Sequence, residues 1–120
     1  MAEWQMGVVE SKFADIIWRT APVTSSQLVK LGASELGWKR TTVHTVLRRL
    51  CDKGLFQNDG GVVTARMSRE EFYARQSRQY VADSFHGSLP AFIAAFTQGR
   101  KLTEEERAEI LRMIDQTEEG

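Results

Sequence analysis

Several things common functions require are scarce in this 120-residue chain. A single cysteine, Cys51, excludes an intramolecular disulfide and suits a reducing compartment. Its place beside an apolar helical stripe makes it a structural thiol. Two histidines, His44 and His86, are too few for a convincing zinc or copper site, so neither metal nor cofactor is expected. No apolar run approaches the ~20 residues that span a bilayer. The N-terminal Met1-Ala2-Glu3-Trp4-Gln5 has no basic stretch followed by an apolar core, so no signal peptide is read and the expected location is the cytoplasm. There is no G-x-S-x-G and no phosphate-cradling glycine loop, and nothing else marks an enzyme. Glu70-Glu71 and Glu104-Glu105-Glu106 stand at helix N-termini, where the dipole stabilises carboxylates, and do not form a catalytic pair.

Net charge is absent too, with 16 basic and 16 acidic residues. Taken over the whole chain this argues against a polyanionic partner, but the charges are unevenly distributed. Residues 1–67 hold nine lysines and arginines against six acids, whereas residues 68–120 hold seven against ten. Five of the nine N-terminal cations lie between Lys39 and Lys53, where only Asp52 opposes them. Binding to a polyanion depends on the local field, and here the cations cluster on one segment.

That segment is a helix by its spacing. Val43, Val46, Leu47 and Leu50 recur at i, i+3, i+4 and i+7, leaving Thr41, Thr45 and Arg48 on the opposite side with His44 and Arg49 on the flanks. Upstream, Val8 to Arg19 reads as a helix with Val9, Phe13, Ile16 and Ile17 on one face and Trp18 off that stripe. Pro22 ends it, and Thr24 is a good N-cap for a second helix to about Leu36, with Leu28, Val29 and Leu31 as core candidates. Gly32 weakens that helix without breaking it. Downstream, Lys53-Gly54 forms a left-handed cap, and Leu55–Asn58 and Val62–Ala65 read as strands joined by an Asp59-Gly60-Gly61 turn. Three helices followed by a hairpin is the layout of a winged helix, in which the third helix enters the major groove and the wing lies near flanking phosphates.

The remainder is helical. Ser68 to Glu71 and Thr103 to Glu106 are capping boxes, opening a helix to about Phe85 and a final helix; between them lies the very apolar Leu89–Phe96. This section is too short to enclose its own core. Packing back on the N-terminal part or pairing with a second copy would bury it, and since residues 1–67 already close a compact unit, a two-fold dimer is expected. Its candidate residues are Phe72, Tyr80, Phe85, Leu89, Phe92, Ile93, Phe96, Leu102, Ile110, Leu111 and Ile114. The fold class is thus mainly α with a small β-hairpin: a winged helix-turn-helix over 1–67 and a helical dimerisation section over 68–120. A protein-interaction winged helix that dimerises without binding DNA remains the alternative; net neutrality and a cation-poor wing tip favour it.

The order of motifs resembles the penicillinase-repressor family of bacterial transcription regulators over roughly Val8 to Ile114. The resemblance is carried by Trp38-x-x-x-Thr42-Val43-x-Thr45, by Arg49-Leu50-x-x-Lys53-Gly54-Leu55, by Ile16-Ile17-Trp18, and by the spacing of Phe96 and Leu102-Thr103. It implies a homodimeric repressor that occupies a palindromic double-stranded operator, with Thr41, Thr42, His44 and Thr45 matching the reading helix. Threonine offers a methyl to thymine or a hydroxyl to a base, and His44 can donate to a purine N7 or to phosphate. Lys39, Arg40 and Arg48 suit phosphates, as does Arg66 for the wing, while Arg49 fits a phosphate contact and a structural ion pair equally. In antibiotic-responsive members the resemblance implies inactivating cleavage at an Asn-Phe bond; the matching pair here is Ala95-Phe96, which reads as dimer core. Copper-responsive members end in a cysteine cluster that this chain lacks. The signal, the operator and the regulated genes are not written in the sequence.

Overall fold

In the computed structural model, which describes residues 6–119, the apolar spacing of the first fifty residues produces three helices around one core. Helix α1 spans Val8–Thr20 and buries Phe13, Ala14, Ile16 and Ile17. Val9, placed on the same stripe by its spacing, is exposed, because the stripe runs one turn beyond the core. Trp18 leaves the stripe to serve a second surface. Its indole N–H donates to the Met67 carbonyl at 2.9 Å, and its ring lies 5.2 Å from that of Phe56 and 6.0 Å from that of Phe72.

After Pro22 the chain forms β1, Val23–Thr24, then α2, Ser25–Leu31. Thr24 caps α2 as its sequence promised: the Gln27 amide donates to Thr24 Oγ1 at 3.1 Å, and the Thr24 amide donates to Gln27 Oε1 at 3.0 Å. Of the core candidates on this helix, Leu28 is fully buried and Val29 and Leu31 are half-buried. From Gly32 to Leu36 the helix widens into a π turn, where the sequence suggested a uniform α-helix. Helix α3 follows over Arg40–Asp52, burying Val43, Val46, Leu47 and Leu50.

The wing is built from β2, Phe56–Asp59, and β3, Val62–Ala65, paired antiparallel from Phe56↔Ala65 to Asp59↔Val62. Both residues of the intervening turn have positive φ, Gly60 at 58° and Gly61 at 93°, the backbone a tight hairpin demands. Asn58 Oδ1 accepts from the Gly61 amide and secures the turn. The hairpin gains a third strand that periodicity did not reveal: β1 pairs with β3 through Val23↔Val63 and Thr24↔Val62, giving the order β1-β3-β2. Two residues are too few to show alternation.

Helix α4, Arg69–Ser84, opens with the Ser68/Glu71 capping box, both of its bonds present. The described residues group into two compact units that divide after Gln79, inside α4. Phe72, expected at a dimer interface, is corrected by this grouping. It is fully buried in the core of the first unit beside Trp18 and has no surface to offer a partner.

The second unit holds α5, Leu89–Gly99, and α6, Glu104–Glu119. Ser88 caps α5 by accepting from the Ala91 amide, and the Thr103/Glu106 box caps α6. Arg100 also reaches Glu106, and its guanidinium together with the Thr103 amide holds that carboxyl at a pKa of about 2, well below the ordinary 4.5. Tyr80, Phe85 and Phe92 form an aromatic cluster with ring separations of 5.5 to 6.0 Å. Yet from Tyr80 to Thr117 no described side chain is fully buried. No helix among the described residues is long and apolar enough to cross a membrane.

Candidate nucleic-acid interface

The exposed side of α3 is made by subtraction. Once Val43, Val46, Leu47 and Leu50 face the core, 3.6 residues per turn leave Thr41, His44, Thr45 and Arg48 together on the opposite side. Arg40 and Arg49 flank this group, and all six are exposed. Thr42 lies at the border and is half-buried, so it joins the reading group only by its edge. Thr45 Oγ1 donates to the Thr41 carbonyl at 2.8 Å. With its proton committed, Thr45 presents outward a methyl group and acceptor lone pairs, suited to a thymine methyl or a base amine.

The ion pairs of the first unit leave the cations of α3 unengaged. Within the first unit three cations have acidic partners: Arg19 with Glu35 at 2.6 Å, Arg69 with Asp15 at 3.0 Å, and Lys53 with Glu10 at 3.4 Å. Lys39, Arg40, Arg48 and Arg49 form no ion pair among the described residues. The ion-pair reading of Arg49 therefore has no acid to support it. Lys39 is the N-cap residue of α3, and its side chain makes no capping bond. The first amides of a 13-residue helix are thus left open at the end where the dipole favours an anion.

The last phosphate candidate, Arg66, does not join this cluster and is not at the wing tip. It follows β3 at the base of the hairpin, where its amide donates to the Leu55 carbonyl. The tip itself carries Asp59 and two glycines. The wing is tied down instead by the Ser25 amide, which donates to the Gly61 carbonyl at 2.8 Å. Cys51, near the end of α3, is half-buried, and burial followed by the neighbouring Asp52 charge raises its thiol pKa above the ordinary value. Such a thiol is a poor nucleophile at neutral pH. Among the described residues no group of histidine, cysteine and acidic side chains is placed to hold a metal.

Comparison with known proteins gives the family. The model of the family described as "Penicillinase repressor" matches residues 6–116. The chain belongs to the penicillinase repressor family. Membership makes it a DNA-binding transcriptional repressor with a winged-helix reading unit, and the family is one of regulators rather than enzymes. A curated relative, the "Penicillinase repressor" of Bacillus licheniformis, is 21% identical over 116 residues, covering 93% of this chain and 91% of its own. Set against the family, the Ala95-Phe96 pair lies inside α5 with both side chains exposed.

Two residues that shape the site escaped sequence reasoning. Trp38 packs on Phe13 at 5.2 Å just before α3 begins. Gly32 is buried against Val43. The only signal for Gly32 was a glycine inside a helical pattern, which often has a packing reason.

Proposed function

We propose that this repressor is a cytoplasmic homodimer that occupies a palindromic operator by placing α3 of each protomer in the major groove. Thr41, His44 and Thr45, with Thr42 at the edge, read base edges; Lys39, Arg40, Arg48 and Arg49 hold phosphates, and Arg66 gives the wing one weaker contact. The observation that carries this reading is the coincidence on α3 of an exposed hydroxyl-bearing face with four cations that have no acidic partner among the described residues. The second unit, from Tyr80 onward, acts as the dimerisation section. Tyr80, Leu89, Ile93, Phe96, Leu111 and Ile114 each expose between 39% and 58% of their surface, and Phe85, Phe92, Leu102 and Ile110 are half-buried beside them. That is more exposed apolar surface than a free helical section tolerates in water.

Footprinting on the region upstream of the gene, together with a salt titration, tests the reading. A symmetric protected site is expected, with affinity falling linearly on a log–log plot against salt as phosphate contacts release counterions. Sequence-indifferent binding, or none at low salt, sinks it and leaves the α3 face to a protein partner.

A further inference from the structure

Gly32 has no conformational need to be glycine. Its φ of −61° and ψ of −41° are ordinary helical values that any residue adopts. Alanine is also the better helix former, so local propensity argues against glycine here. What requires it is space. A Cβ added at Gly32 would lie 2.6 Å from Val43 Cγ2, closer than real Cβ atoms come to a neighbour. Val43 cannot swing aside: it is fully buried, and a β-branched side chain in a helix is held to essentially one χ1 rotamer. Val43 is also the first buried residue of α3, next to Thr42 and His44 in sequence.

Other contacts tie the π turn to α1, so the spacing between this turn and α3 is set where Gly32 meets Val43. The Trp38 amide donates to the Gly32 carbonyl at 3.1 Å. Glu35, inside the π turn, is paired with Arg19 on α1, and Trp38 packs on Phe13. The turn and the Trp38 that follows it are each tied to α1, and the recognition helix meets the turn at Gly32.

We infer that Gly32 is a positioning residue for DNA reading: its missing side chain seats Val43, and that seating sets where Thr41, Thr42, His44 and Thr45 stand. The inference rests on the reading of α3 proposed above. Base readout depends on placement to a fraction of an ångström, whereas flexible cations on phosphates follow a small shift.

The test uses the full chain as wild type, Gly32→Ala, Val43→Ala and the double variant. Binding is measured by anisotropy on a duplex selected by the wild type from a random pool and on a scrambled duplex of equal length. Gly32→Ala is expected to lose about tenfold or more on the selected duplex and less than about threefold on the scrambled one. The double variant, whose smaller residue 43 accepts the new methyl, is expected to recover most of the discrimination. If Gly32→Ala does not fold, recovery of folding and discrimination by the double variant still supports the inference. Equal loss on both duplexes, no loss, or no recovery in the double variant overturns it. Failure of the wild type to discriminate any duplex refutes the DNA-reading proposal instead. In that case a thermal-melting cycle over the four proteins still reports whether Gly32 and Val43 are coupled.

Discussion

The two compact units spend their apolar residues in opposite ways. In the first, Phe13, Ile17, Leu28, Val43, Leu50, Phe56 and Phe72 are all almost wholly withdrawn from solvent, and α1, α2, α3 and the start of α4 each bury apolar side chains. In the second, α5 is the most apolar helix of the chain in sequence yet buries none of its side chains. A helix that is apolar without being buried is one whose partner lies outside its own unit. On the proposed reading the first unit is complete by itself and offers its polar surface to DNA, and the second is completed by a second copy.

The largest effect expected from this contrast is in the first core. Phe13→Ala should cost about 3–5 kcal/mol, as deletion of a buried aromatic does, and lower the melting temperature by more than about 10 °C, with operator binding lost above the new midpoint. A melt within a few degrees of wild type would mean that this core is not closed. Paired substitution Ile93→Asp and Phe96→Asp should do the reverse. Sedimentation should show dimers becoming monomers and operator affinity should drop about a hundredfold, while the first unit's melt shifts by no more than about 0.5 kcal/mol. A dimer that survives both charges would place the partner surface elsewhere.

Smaller effects sharpen the division of labour on α3. Arg48→Ala should flatten the salt dependence by about 0.9 and weaken selected and scrambled duplexes alike. Thr45→Ala should leave the slope untouched and cost about 1 kcal/mol on the selected duplex alone. The smallest effect concerns Glu106. Its carboxyl is depressed to about 2 when folded, so the ionised form contributes stability that is present above about pH 4.5 and fades as the pH falls toward 2. Glu106→Gln removes that contribution at every pH. Circular dichroism at low salt should show wild type ahead of the variant at pH 5.5 and level with it near pH 2.

How much of this was legible from residues alone varied with element length. Helix α3, the two capping boxes, the Thr24 N-cap and the Gly60-Gly61 turn were readable because each is a local pattern in which one residue's chemistry dictates its neighbour's backbone. Strand β1 was not, because two residues carry no period. Phe72 was assigned to the wrong surface for a different reason. Its helix looked like part of the C-terminal section, and only the fold shows Trp18 reaching across to claim it. The exposed face of α3 was legible as a list, but the unequal exposure and bonding of its members was not. Half-burial of Thr42 and the committed proton of Thr45 depend on atoms that periodicity does not describe.

Tryptophans occur only at positions 4, 18 and 38. Trp18 joins α1 to the Met67 carbonyl, and Trp38 packs on Phe13 ahead of α3, so both described indoles pack against the core of the first unit. The chain therefore carries its own optical label on one half. Indole emission follows the DNA-reading unit, while far-ultraviolet ellipticity follows the helices of both. Unfolding curves recorded at the two wavelengths on one sample would show whether the halves melt together or apart, with no probe attached.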